Sequence, residues 1–222
     1  MYRKGNNFNL QTLIDNLEFV EVKDFMLYGR IPKIGNNIER SILQKLFKYS
    51  KLGSYIQPTG APIVYRFAGG RYFKVVTNYS NGSSAERIIY FNNKIANSIG
   101  CILSSSLSFW FYQIYSDNLN WKNYEISEFR LPPLTDDNIT RLNKLYNQYL
   151  NDIEENANIR MSSGTSSYIV SSFKEYKIGK SKSIIDCIAA YIGPLYGLTK
   201  EEITFINNYE IEFRMSDHEE TL

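Results

Sequence analysis

Apolar positions recur at helical spacing over 37–50. Ile38, Ile42 and Leu46 fall four apart, with Leu43 and Phe47 beside them. This predicts a helix closed by Gly53. Pro58 to Pro62 reads as a turn or loop. Two β-rich runs follow, Ile63–Ala68 and Arg71–Val76, with Gly69-Gly70 between them. Such a pair predicts a hairpin with a tight turn, setting Arg66 and Arg71 near one tip. Thr77–Ala85 is polar, and Glu86–Phe91 predicts a third strand. Asn92–Tyr115 reads as one long helix with Ile95, Ile99, Ile102, Leu103 and Leu107 on a stripe, broken by Ser116–Asn120. Glu125–Leu131 predicts a short strand before Pro132-Pro133.

The texture then changes. Thr135–Ala157 predicts a helix, with Thr135 or Asp136 as N-cap and Ile139, Leu142, Leu145, Tyr146, Tyr149 and Ile153 on one face. Met161–Ser172 reads as a loop or linker. Ser181–Tyr196 and Thr199–Asn208 predict two more helices. Ser181 is expected to cap the first and Gly197 to end it, while Thr199 and Glu202 form a capping box for the second. The fold class expected is α+β: a small, mainly antiparallel sheet over about residues 55–131 packed on helices, then a helical C-terminal unit. The division falls at 134/135.

Ile95–Ser116 carries no charge over 22 residues, enough to cross a bilayer. It also holds Asn97, Ser98, Ser104, Ser105, Ser106, Ser108 and Gln113, which predicts a buried helix and no membrane partner.

Composition narrows the chemistry. Of 222 residues, 43% are hydrophobic and 22% charged, which excludes a disordered or fibrous chain. With 22 Asn and 22 Ser, the surface is rich in neutral hydrogen-bonding groups. Cys101 and Cys187 lie far apart in apolar surroundings and are expected to be buried thiols in a reducing cytoplasm. The single histidine, His218, excludes a His-based metal site, a Ser-His-Asp triad or an HNH nuclease.

Charge adds a direction. Residues 1–134 carry sixteen basic against nine acidic side chains, and residues 135–222 nine against fourteen. Within 28–94 the balance is eleven basic to two acidic, interleaved with tyrosines and phenylalanines. Such a block suits a polyanion, most simply nucleic acid. Neither a Walker GxxxxGK[ST] loop nor a GxGxxG loop occurs. Asp15…Glu21-Val22-Lys23 imitates the carboxylate and lysine set of a metal-dependent nuclease, but the tight spacing and the lack of a strand pair favour ordinary surface residues.

Two segments resemble a known family. The first is Cys101-Ile-Leu-Ser-Ser-Ser-Leu-Ser-Phe-Trp-Phe-Tyr-Gln-Ile-Tyr-Ser-Asp117, followed by Leu119-Asn120 and Ile126-Ser-Glu-Phe-Arg-Leu131. It resembles a block in the C-terminal target-recognition region of adenine-N6 DNA methyltransferases. The second is Ser181-Lys-Ser-Ile-Ile-Asp186 with Tyr196-Gly-Leu-Thr-Lys-Glu-Glu-Ile-Thr-Phe-Ile-Asn-Asn-Tyr-Glu-Ile-Glu-Phe-Arg-Met215. It is similar to the ending of type IIG restriction–modification enzymes. Ser104 stands where the family has Asn, and Arg130 interrupts a Phe-Pro pair. The family's S-adenosylmethionine loop and its Asn-Pro-Pro-Tyr motif do not occur in this sequence.

The resemblance implies a target-recognition domain that grips duplex DNA beside a flipped adenine, with catalysis supplied by a methyltransferase domain or subunit. On that reading residues 1–134 form a basic DNA-recognition region. No cofactor and no catalytic residue are expected within the chain. Phe109, Trp110, Phe111, Ile99, Leu103 and Leu107 are expected to be core, and Phe205, Ile206 and Tyr209 to pack the terminal helices. Candidate DNA contacts follow from chemistry and placement: Arg66, Arg71 and Lys74 at the hairpin, Asn78, Tyr79, Ser80 and Asn81 in the polar loop, and Asn118, Asn120 and Lys122 after the long helix. Arg and Lys suit guanine edges or phosphate, and Asn suits adenine. The rival expectations are a protein-interaction subunit docking through the acidic helical half, and a nuclease built on Asp15, Glu21 and Lys23.

Overall fold

The computed structural model describes residues 14, 19–68, 74–161 and 172–214. Helix α1 (Asn37–Leu46) opens where the Asn36 side chain accepts the Glu39 N–H, and it buries Ile42, Leu43 and Leu46. It ends at Leu46, seven residues short of Gly53. Strand β1 (Ser50–Lys51) leads to β2 (Ala61–Arg66), β3 (Val76–Thr77) and β4 (Glu86–Phe91). The sheet order is β3-β2-β4, with both pairings antiparallel. Glu86–Phe91 is thus the strand that the sequence predicts.

The hairpin differs from expectation. Tyr65 faces Val76, whereas a two-residue turn at Gly69-Gly70 would set Tyr65 against Lys74. The register is displaced by two residues. Among the described residues the second strand is Val76–Thr77, and past Arg66 the first strand turns to another partner: Ala68 bridges Asn120.

The long uncharged stretch is two helices, α2 (Ala96–Leu103) and α3 (Ser106–Tyr115). Serines break it. The Ser104 hydroxyl donates to Gly100 O at 2.8 Å and the Ser105 hydroxyl to Ile102 O at 2.6 Å. Ser105 Oγ then accepts the Ser108 N–H and caps α3. Hydroxyls that satisfy backbone groups locally compete with a continuous helix. Among the described residues no helix is long and apolar enough to cross a membrane. Residues 123–128 form a helix, α4 (Asn123–Glu128), and only β5 (Arg130–Leu131) is strand, paired with β1.

Helix α5 (Asp136–Glu155) carries the Thr135 cap and buries the expected face. Strands β6 (Asn158–Met161) and β7 (Ser172–Glu175) then pair antiparallel on either side of the expected loop, whose residues 162–171 lie outside the described residues. Helix α6 (Lys182–Leu195) follows a 3-10 turn, and the Ser181 side chain makes no cap. Gly197, at φ +70°, ends the helix, with Leu198 N–H returning to Gly193 O at 2.9 Å. Helix α7 (Lys200–Asn208) has the Thr199–Glu202 capping box, and α8 (Ile211–Arg214) closes the described chain. These elements make an α+β fold.

One hydrophobic core runs from Phe25 to Ile206, through both halves of the sequence. Phe109, Trp110 and Phe111 lie inside it with Ile99, Leu103 and Leu107. Ile206 is buried beneath the edge-to-face pair of Phe205 and Tyr209. Polar contacts also cross 134/135. Tyr146 Oη donates to Val76 O at 3.3 Å, and Tyr196 Oη to Arg130 O at 2.7 Å. Lys45 meets Glu202 at 2.6 Å. Of the two thiols Cys101 is buried, but Cys187 is exposed, since α6 buries Ile185, Ile188, Ala189 and Ile192 on the opposite side.

Candidate nucleic-acid interface

The loop after α3 is braced from within. Asp117 Oδ1 accepts the N–H groups of Leu119 and Asn120, both at 3.0 Å, and Oδ2 takes Lys122 Nζ at 2.6 Å. The Lys122 bond, followed by the backbone bonds, holds the Asp117 carboxyl well below its ordinary range. Asn118 sits at φ +63°, the left-handed region that non-glycine residues seldom enter. Its N–H donates to Ser116 Oγ at 2.9 Å. Lys33 Nζ clamps the loop, donating to Ser116 O at 2.9 Å and to Asn118 Oδ1 at 3.3 Å. Burial of the Lys33 stem lowers the ammonium from its usual value.

The sheet docks on this loop. Trp121 N–H donates to Phe67 O at 2.7 Å, and Trp121 meets Tyr65 edge-to-face with ring centroids 5.5 Å apart. Tyr65 Oη also bonds Asn123 Oδ1. Exposed Arg66 curls onto Ala68 O at 2.9 Å, and Arg87 lies 3.8 Å over the Phe67 ring. On the far side, Arg30 stacks 4.8 Å over Tyr124. Four separate segments therefore bring Arg30, Lys33, Lys122, Arg66 and Arg87 to a ridge bordering the loop of Asn118 and Asn120, with Arg66 and Arg87 leaving opposite faces of the β2–β4 pair. Of the nearby acids, half-buried Glu86 lies across the strand from Arg66 and bonds Ser80 and the Asn81 N–H. Glu125 and Glu128 are buried, and Asp117 is tied to Lys122. Cations flanking amides can bind phosphates while the amides face base edges.

Of the ten candidates, Arg66, Asn118, Asn120 and Lys122 meet on this ridge. Arg71 lies outside the described residues. Lys74 does not belong at the surface: it is only 7% exposed and sits 4.6 Å over the Tyr112 ring. Burial, with Arg66 nearby, pushes its ammonium down to about 8. It lines a small cavity with Arg214, Tyr112 and Trp121. Lys74 precedes β3, and its ammonium turns inward over Tyr112 instead of out to solvent.

The polar loop is engaged elsewhere. Asn78 Nδ2 donates to Asn97 Oδ1 at 3.1 Å, and Ser80 Oγ to Glu86 Oε2 at 2.6 Å. Tyr79 and Tyr176 both donate to Glu154 Oε1, Tyr176 also reaches Asn81 Oδ1 at 3.0 Å, and Lys174 bonds Glu154 Oε2 at 2.6 Å. Burial would lift the Glu154 carboxyl, but the bonds from Lys174, Tyr176 and Tyr79 outweigh it and leave the group below its ordinary value. These contacts tie Asn78, Tyr79, Ser80 and Asn81 to the protein itself.

Arg30, Lys33, Arg87 and Tyr124 are ridge residues that spacing did not single out. The basic block contained the three cations, but only the approach of the 116–122 loop to β2 selects them. Asp15 lies outside the described residues; Glu21 and Lys23 are exposed. Among the described residues no group of three or more His, Cys, Asp or Glu side chains is placed to hold a metal ion. Compared with known proteins, the chain matches no family model, no curated protein and no solved structure.

Proposed function

We propose that the chain is a sequence-reading module for double-stranded DNA that serves an adenine-N6 methyltransferase or restriction–modification enzyme, with catalysis supplied by a separate domain or subunit. The observation that carries this reading is the ridge: five cations from four segments border the loop of Asn118 and Asn120, while Glu125 and Glu128 are buried and Asp117 is paired with Lys122. The two resembling sequence blocks supply the enzyme class.

The test is duplex binding against salt. Each neutralised phosphate contributes a log–log slope of about −0.9, so Arg30, Lys33, Arg66 and Arg87 together give about −3.6. Affinity should fall about 150-fold between roughly 50 and 200 mM salt. Arg66→Ala should flatten the slope by about 0.9, and Lys200→Ala on remote α7 should leave it unchanged. A slope near zero, or equal effects of both variants, would refute the reading.

A protein-docking role for the helical half is favoured by one observation. Between α5 and α6 lies an open groove of about 490 Å³, walled by Leu145, Ile184 and Tyr191 and edged by Arg141, Gln148 and exposed Cys187. If a methyltransferase subunit seats there, a maleimide on Cys187 should block their association and leave DNA binding intact.

A further inference from the structure

Leu119 is 69% exposed, at the tip of the loop that builds the ridge. Isolated exposed leucines are common on protein surfaces. This one differs in how its backbone is held and in what surrounds it. Its own N–H and that of Asn120 are fixed on Asp117 Oδ1, and Asn118 before it is locked at φ +63°. Lys33 clamps Asn118 on one side, and the bridge from Asn120 to Ala68 pins the other. The side chain is thus presented on a rigid turn, with Lys33, Lys122 and Arg66 around it. A mobile loop would lose its ordering entropy on inserting a side chain; this loop is already ordered.

Apolar residues flanked by cations and amides match the chemistry of wedges that part stacked base pairs. Such wedges are aliphatic side chains inserted at a base step, while neighbouring cations hold the phosphates on either side. A membrane-binding surface would call for a broader apolar face. Here the residues flanking Leu119 are Asn118 and Asn120, whose amides suit base edges.

We infer that Leu119 is an intercalating wedge that opens a base step of bound duplex DNA. The inference rests on the DNA-recognition reading and adds to it a deformation of the duplex. Pyrimidine–purine steps unstack most easily, so a TA step is the expected point of entry.

The experiment uses the full chain and a duplex of mixed sequence in which 2-aminopurine replaces the adenine of a single TA step. Its emission rises when the base loses its stacking. Saturating wild-type protein should raise the emission, Leu119→Ala should abolish that rise, and Leu119→Met should restore it. Leu119→Ala should also weaken binding by up to about 60-fold, as expected for the loss of three buried carbons, with the salt slope unchanged. Circular dichroism checks that the variant is folded, and an exposed tip residue makes that the expected result. A rise that survives Leu119→Ala would overturn the wedge and leave DNA recognition standing. Salt-dependent binding with no rise in wild type would do the same. If wild type shows no salt-dependent binding at all, the recognition reading falls first and the wedge with it.

Discussion

Asn118 allows the energetics of the ridge to be dissected at a single backbone position. The left-handed conformation costs an L-residue about 1–2 kcal/mol, and Asn and Gly tolerate it best. Replacing Asn118 by Ala keeps φ at +63° but loses that tolerance. It also removes the bonds that Oδ1 accepts from Lys33 and Ser116, at 3.3 and 3.2 Å. Each such bond near the surface contributes about 0.5 kcal/mol. Asn118→Ala should therefore destabilise the fold by about 2 kcal/mol. Asn118→Gly loses the same bonds and adds freedom to the unfolded chain, yet relieves the strained φ. It should cost about 1 kcal/mol. Urea unfolding of the two variants, with equal m-values, measures the difference directly. In a chain of this size it should appear as a gap of about 2–4 °C in Tm. An alanine variant as stable as the glycine variant would refute the claim that backbone conformation, rather than side-chain bonding, sets the cost. Asn118→Asp separates stability from function. It should keep the turn near wild-type stability and weaken DNA binding by placing a carboxylate on the ridge.

Other outcomes follow from the packing and from the buried charges. Gly100→Ala should cost at least 1–3 kcal/mol, since a Cβ there would lie 2.6 Å from Tyr146 Cζ and 2.9 Å from Ile63 Cδ1 where α2 crosses α5; chemical denaturation measures it. Glu202→Ala should cost about 2 kcal/mol, because it removes the carboxylate half of the α7 capping box along with the Lys45 and Ser41 bonds. Lys74 sets an alkaline signature. Its ammonium falls to about 8 on folding, so the unfolded chain binds more protons above pH 8 and stability should rise from there toward pH 10. Burial pushes Tyr65 and Tyr112 up to about 12, so stability should fall again above pH 10 as tyrosines ionise more readily in the unfolded chain. Denaturation midpoints across pH 7–11 test this, and Lys74→Met should flatten the rising limb.

Much of the fold was legible because local signals agreed with the tertiary structure. Glu86–Phe91 is a β-rich run between polar breaks; α5 and α7 carry their caps in plain sequence. What escaped notice depended on partners distant along the chain. The Ser104–Ser106 run breaks a helix whose apolar stripe continues on both sides. Residues 123–128 look β-prone yet close a helix around the Lys122–Glu125 contact. Strands β6 and β7 are only four residues each, so the alternation of Ile159 and Met161 is too short to stand out, and both side chains are exposed instead of joining the core. The ridge was half legible. Composition isolated the basic block, and chemistry chose Arg66, Asn118, Asn120 and Lys122. Lys74 was misplaced because its burial is set by Tyr112 and Trp121, residues far along the chain that line the same small cavity. Arg30, Lys33 and Arg87 became visible only once the loop met the sheet.

The core that joins the two halves has a thermodynamic consequence. A ligand gripping the ridge binds a surface that exists only when α5, α6 and α7 are also in place, through contacts such as Tyr146 on Val76 and Tyr196 on Arg130. Occupancy at one hundred times Kd adds about 2.7 kcal/mol to the unfolding free energy. That increment should slow amide exchange in the acidic helices as well as in the basic sheet, even though the helices touch no part of the ligand.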